Sequence, residues 1–114
     1  MINEEAPVPR PVYAVFDLGK TPKSQVDQVL SDPADPRADI VSRQSLVFRD
    51  GKTLGFPDLG NLLLVEGTEA AIAKAAELFG TLGKKLEAAP AESVYRAVKS
   101  EEDAAASGMG LIFG

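Results

Sequence analysis

The sequence contains neither cysteine nor histidine. Without cysteine the chain cannot form disulfides, thiolate nucleophiles or cysteine-ligated zinc and iron–sulfur sites. Without histidine it lacks the commonest general base near neutral pH and the commonest transition-metal ligand. Because the Ser-His and Cys-His nucleophile systems are also excluded, we predict a protein that is not an enzyme and that holds no cofactor or metal ion.

Basic residues are few and scattered. Twelve Lys and Arg stand against seventeen Asp and Glu, the net charge is −5, and no basic run exceeds the pair Lys84 and Lys85. Nucleic acids and anionic membranes are bound by basic surfaces that neutralise phosphates, so neither is a predicted partner. No apolar run approaches the roughly 20 residues of a membrane span, and the N-terminus is acidic where a signal peptide would be basic. We therefore predict a cytoplasmic protein.

The length and composition indicate one folded domain. The chain has 114 residues, of which 45% are hydrophobic and 25% charged, as in ordinary globular proteins. Residues 1–11 contain Pro7, Pro9 and Pro11 and are predicted to be a flexible arm. Residues 12–114 are predicted to form the single domain.

The first half of the domain predicts a strand, a helix and a strand hairpin. Val12–Leu18 is β-branched and aromatic and is typical of a central strand. Thr21 is predicted to cap a helix whose first residue is Pro22. A strand is predicted over Asp39–Arg49, and the Asp50-Gly51 pair predicts a tight hairpin turn into a short strand at Thr53–Phe56.

The second half predicts a buried strand at Leu62–Val65 and a helix capped by Thr68. Gly80 and Gly83 leave the end of that helix open between Phe79 and Leu86. A further strand is predicted at Ser93–Val98, followed by a short helix that begins at Ser100 and ends at Gly108.

These elements follow the βαββαβ order of ferredoxin-like domains, with an extra short helix and an apolar tail strand. The predicted fold class is therefore α+β and ferredoxin-like. The segment Leu62–Phe79 resembles the second βα half of many such proteins. The strands at Val12 and Leu62 are expected to be parallel neighbours, and Tyr13 and Tyr95 to lie on flanking strands without an assigned function.

Each predicted central strand leads to its helix through an acid, a glycine and a threonine. Helix N-termini present free N–H groups and a positive dipole end, which suit a small anion. Alternatively, the threonines only cap the helices and the glycines only turn the chain, and two nearby acids oppose anion binding. The candidate ligand-binding residues are Gly19, Lys20, Thr21, Glu66, Gly67 and Thr68.

The chain ends with three large apolar residues, Leu111, Ile112 and Phe113. They are predicted either to close the sheet of their own subunit or to dock on a neighbouring chain. The leading hypothesis is a non-enzymatic accessory or assembly module that forms a homo-oligomer, or binds a protein partner, through its sheet edges and this C-terminus. The alternative is a regulatory domain that binds a small anionic metabolite.

Overall fold

The computed structural model describes residues 12–113, with side chains up to residue 104. The predicted flexible arm, residues 1–11, lies outside the described residues. The strands are β1 (Val12–Asp17), β2 (Ser45–Asp50), β3 (Asn61–Gly67) and β4 (Lys84–Lys85), and the helices are α1 (Lys23–Leu30), α2 (Pro36–Ser42), α3 (Gly51–Leu54), α4 (Glu69–Phe79) and α5 (Ala88–Phe113).

The strands form one four-stranded antiparallel sheet in the order β2-β3-β1-β4. The predicted α+β class is confirmed. β1 and β3 are central neighbours as predicted, but their predicted parallel pairing is wrong. In the antiparallel register Val12 lies opposite Gly67 and Asp17 lies opposite Leu62, so the two strands run in opposite directions.

Helices cover both faces of the sheet because the two central strands are apolar on both sides. Ala14 and Phe16 of β1 pack on one face with residues of α1, α2 and α4. Val15 and Leu64 pack on the other face, where α5 contributes the buried side chains Ala91, Val94 and Val98. Among the residues searched, none of the helices is long and apolar enough to cross a membrane.

The two predicted threonine caps have different outcomes. The cap of α4 is confirmed, since the Ala71 N–H donates to Thr68 Oγ1 at 3.1 Å, and the helix ends at Phe79. The cap at Thr21 is wrong, because Pro22 occupies the N-cap position without a side-chain hydrogen bond. α1 begins at Lys23, one residue later than predicted.

The strand predicted over Asp39–Arg49 is only partly correct. Its first residues belong to α2, which begins because Asp35 accepts a hydrogen bond from the Arg37 N–H at 3.0 Å and Pro36 stands at the first helical position. Only Ser45–Asp50 is strand.

The hairpin predicted at Asp50-Gly51 is wrong. The Asp50 carboxylate accepts from the Lys52 N–H at 3.2 Å and from the Thr53 hydroxyl at 3.1 Å, and so it caps α3 instead. Thr53–Phe56 therefore forms no strand. An aspartate side chain can cap a helix as readily as it can begin a turn, and at Asp50 the helix cap forms instead of the hairpin turn.

The strand predicted at Ser93–Val98, the helix end at Gly108 and the apolar tail strand are wrong, because all three segments belong to α5. Ala91, Val94 and Val98 recur at helical spacing and bury one face of that helix. The fourth strand is instead Lys84–Lys85, whose two exposed lysines carry no apolar signal.

Candidate functional site

The predicted anion site is not assembled in the structure. Because β1 and β3 are antiparallel, the Gly19–Thr21 junction follows the end of β1 near Leu62, whereas the Glu66–Thr68 junction lies beside Val12. The two junctions are thus separated by about 16 Å along the strands. The prediction that they share one edge is wrong.

The first junction is a packed turn. Asp17 Oδ1 accepts hydrogen bonds from the N–H groups of Gly19 at 3.0 Å and Gly60 at 3.2 Å. The Thr21 carbonyl accepts from the Asn61 side chain at 2.8 Å. Lys20 is exposed. These bonds give Asp17 a structural role, since it fastens the turn to the start of β3.

The second junction includes a carboxylate that is already paired. Glu66 accepts a hydrogen bond from the Tyr95 hydroxyl at 2.9 Å and another from Lys99 Nζ at 3.0 Å, and 18% of its side chain is exposed. Lys99 Nζ also lies 5.3 Å from the centre of the Tyr95 ring, within the range of a cation–π contact. On the other side, Gly67 lies against Gln44, whose side chain a Cβ would meet.

These contacts fix the charges of the three groups. Burial raises the pKa of Glu66, but the hydrogen bonds from Lys99 and Tyr95 outweigh it and hold that pKa below its ordinary value. The bond to Glu66 raises the pKa of Tyr95 and that of Lys99. At neutral pH the cluster therefore consists of a carboxylate, an ammonium group and a neutral phenol.

Tyr13 joins this cluster to a sheet edge. Its ring stacks on Tyr95 with centroids 4.1 Å apart and planes inclined by 17°. The expected proximity of the two tyrosines is confirmed, although Tyr95 lies on α5 and not on a strand. The stack holds the Tyr13 ring in one position beside the outer edge of β1.

That edge is only half covered. β4 pairs with Phe16 and Asp17 alone, and the Leu86 N–H makes one further bond to the Val15 carbonyl at 2.8 Å. The chain then turns away into α5. Within residues 12–113, no strand pairs with the outer edge of β1 from Val12 to Ala14.

A groove runs along this uncovered edge. Its volume is about 490 Å³, and it is lined by Tyr13, Ala14, Lys85, Leu86, Glu87, Ala88 and Ala91. In an antiparallel strand, alternate residues direct their main-chain groups to opposite sides. Since Val15 bonds outward to Leu86, the N–H and C=O of Tyr13 also point outward into the groove.

No family model, curated protein or solved structure matches this chain. Among the described residues, no group of three or more acidic side chains is arranged to hold a metal ion.

The groove is not predicted from the sequence, because the fourth strand is expected at Ser93–Val98, where a longer strand would pair with more of β1. The helical spacing of Ala91, Val94 and Val98 is the sequence pattern that indicates a helix here, with one apolar side packed on a face of the sheet. Leu111, Ile112 and Phe113 lie in the backbone of α5. Their side chains lie outside the described ones, and their role in partner binding stays a prediction.

Proposed function

We propose that this chain is a non-enzymatic accessory module that binds an extended segment of a protein partner by strand addition at the outer edge of β1. We also propose that its fold is ferredoxin-like. The sheet order supports this, because β3 lies between β1 and β2 while β1 lies between β3 and β4, as in two interleaved βαβ units.

The observation that carries the proposal is the open main chain at Tyr13. The Tyr13 N–H and C=O face a groove where β4 would continue if it were longer. Partner strands commonly add to such edges, with main-chain hydrogen bonds for affinity and side-chain pockets for specificity. The chain turns away from the sheet at Ala88, where α5 begins. An extended partner segment would occupy the position next to β1 that a longer β4 would otherwise fill.

The lining of the groove indicates the chemistry of the partner. Ala88 and Ala91 are small and leave room for an apolar side chain of the added strand. Lys85 is exposed and lines the groove near β4, where it would attract an acidic side chain. The partner segment is therefore extended, apolar at a position facing α5, and acidic near β4.

The tyrosine stack supports binding by keeping the groove in a fixed shape. Tyr13 packs on Tyr95, and Tyr95 is in turn held by its hydrogen bond to Glu66. A wall that is ordered before binding loses little conformational entropy when the partner arrives. The Glu66 cluster thus acts as a support for the site and not as a contact with the partner.

The proposal is tested with displayed random peptides of about eight residues, long enough to span the open edge at about 3.3 Å per residue. Peptides selected on the purified protein are synthesised and titrated by fluorescence polarisation. Ala88→Glu places a carboxylate in the groove, whereas Ala89→Glu adds the same charge to the neighbouring exposed position outside it.

We expect the selected peptides to carry an acid, to bind wild type and Ala89→Glu equally, and to bind Ala88→Glu at least about tenfold more weakly. Peptides that bind Ala88→Glu as tightly as wild type would overturn the proposal. So would a selection that yields no peptide above the background of an unrelated protein.

A further inference from the structure

The opposite edge of the sheet is a complete strand. The Gly51 N–H donates to the Gly60 carbonyl at 3.0 Å, so in the β2–β3 register the odd-numbered residues of β2 bond to β3. The N–H and C=O groups of Leu46 and Phe48 therefore point away from the sheet. In the part of the chain that the structure describes, no strand pairs with them.

One of these outward groups is already occupied by a side chain. Arg49 Nη1 donates to the Phe48 carbonyl at 2.9 Å, while Arg49 Nε donates to Glu101 on α5, also at 2.9 Å. The guanidinium group is thus anchored on the helix and reaches around the edge of β2. Charged side chains that block strand edges are a known protection against unwanted pairing.

The sequence of β2 is self-complementary in one antiparallel register. About a two-fold axis at Val47, Leu46 would lie opposite Phe48 of a second copy, and the two Val47 residues would face each other. Leu46 and Phe48 are half-buried on one face of the sheet and Val47 on the other, so each would meet an apolar residue of the second copy on its own face. Each Leu46 N–H would donate to a Phe48 carbonyl, the acceptor that Arg49 now occupies.

We infer that β2 is a self-pairing edge that Arg49 keeps closed, and that a second copy of this chain pairs with it when Arg49 leaves the Phe48 carbonyl. The product is a dimer with one continuous eight-stranded sheet. The two-fold symmetry makes the interface closed, so pairing stops at two copies. The inference is independent of the groove at β1, which lies on the other edge of the sheet.

Arg49→Ala tests the inference by removing the guanidinium group. Arg96→Ala is the matched control, because it deletes the same charge from another exposed arginine–glutamate pair, with Glu92 on α5. Dimerisation is measured by analytical ultracentrifugation over a concentration series. We expect Arg49→Ala to dimerise with a Kd at least about tenfold below that of wild type, since each dimer loses two blocking groups, and Arg96→Ala to behave as wild type.

Cysteine crosslinking tests the register, and the absence of natural cysteine leaves no competing thiol. Directly opposed residues at a non-hydrogen-bonded pair have Cα atoms about 4.5 Å apart, within disulfide range. Val47→Cys in the Arg49→Ala background should therefore crosslink to its copy. Ser45→Cys in the same background should not, because the two positions would lie about 14 Å apart.

Three results would overturn the inference. The first is an Arg49→Ala protein that stays monomeric at every concentration while its circular dichroism shows that it is folded. The second is an equal Kd for Arg49→Ala and wild type. The third is a dimer that crosslinks through position 45 and not through position 47, which would indicate another interface.

Discussion

The Tyr13 and Tyr95 ring centroids lie 4.1 Å apart with the rings nearly parallel, and this contact joins the first strand of the sheet to the first third of α5. One ring borders the groove and the other is bonded to Glu66. The contact therefore connects the candidate binding edge to the helix that covers the second face of the sheet.

A double-mutant cycle should measure this stack. Tyr13→Leu, Tyr95→Leu and the double variant each remove aromatic rings while leaving apolar volume, and we expect a coupling free energy of about 0.5–1.5 kcal/mol. The measurement is urea unfolding followed by circular dichroism. Additive effects of the two substitutions would show that the rings are neighbours without a favourable interaction.

Glu66→Gln should change how stability depends on acid. The pKa of Glu66 lies below its ordinary value of 4.5 in the folded chain, so the unfolded chain binds more protons as the pH falls. The stabilisation by the carboxylate is therefore complete above that value and is lost as the pH drops through the folded pKa.

We expect the difference in urea midpoint between wild type and Glu66→Gln to be constant near neutral pH and to shrink below about pH 4.5. Glu92→Gln serves as the control for the loss of one negative charge, because it removes a carboxylate from an exposed ion pair on α5, which contributes little to stability. A difference in urea midpoint between wild type and Glu66→Gln that stays the same below about pH 4.5 would contradict the assignment of Glu66 as a carboxylate that stabilises the fold.

The two threonines predicted to cap helices should respond differently to alanine. Thr68→Ala removes a cap from α4 and should cost about 1 kcal/mol of unfolding free energy. Thr21→Ala should change that free energy by less than about 0.5 kcal/mol, because Thr21 does not occupy the N-cap position of α1. Equal losses in urea unfolding would argue against the observed start of α1.

Two glycines at the first junction provide a test of backbone packing. A Cβ at Gly60 would lie 2.6 Å from Gly19 Cα, so Gly60→Ala should cost about 1–3 kcal/mol or more by steric conflict. Gly19 has φ of +61° but open space around its missing Cβ, so Gly19→Ala should cost about 1–2 kcal/mol through backbone strain alone.

Gly19→Asn distinguishes these two causes. Asparagine tolerates the left-handed conformation better than alanine, so Gly19→Asn should recover part of the stability lost in Gly19→Ala. Thermal unfolding of the purified variants is sufficient to rank them. A Gly60→Ala protein as stable as wild type would show that the two backbones do not approach so closely.

The central strands and α4 could be predicted because their own residues determine them. Leu62–Val65 is a continuous apolar run, and Thr68 precedes an alanine-rich helix whose apolar residues share one face. These segments would be buried or helical in almost any arrangement of their neighbours. In these segments the structure favoured by the local sequence pattern is also the one that tertiary packing requires, so the predicted strand and helix are observed.

The edges of the sheet depend instead on competition between alternatives of similar free energy. Asp50 can open a hairpin or cap a helix, and its carboxylate caps α3. Lys84 and Lys85 pair with β1 although neither side chain is buried. The candidate groove lies beside this strand, so the proposed binding surface was the part that the sequence pattern could least predict.

The placement of α5 has a consequence for the order of folding. This helix covers much of the second face of the sheet, and it packs with Val15, from which it is separated by most of the length of the chain. Closing such a long loop is entropically slow, whereas β3 and α4 are adjacent in sequence and meet early. We expect a transition state in which β3 and α4 are formed while α5 docks last, so that substitutions at Val94 or Val98 accelerate unfolding and leave the folding rate nearly unchanged.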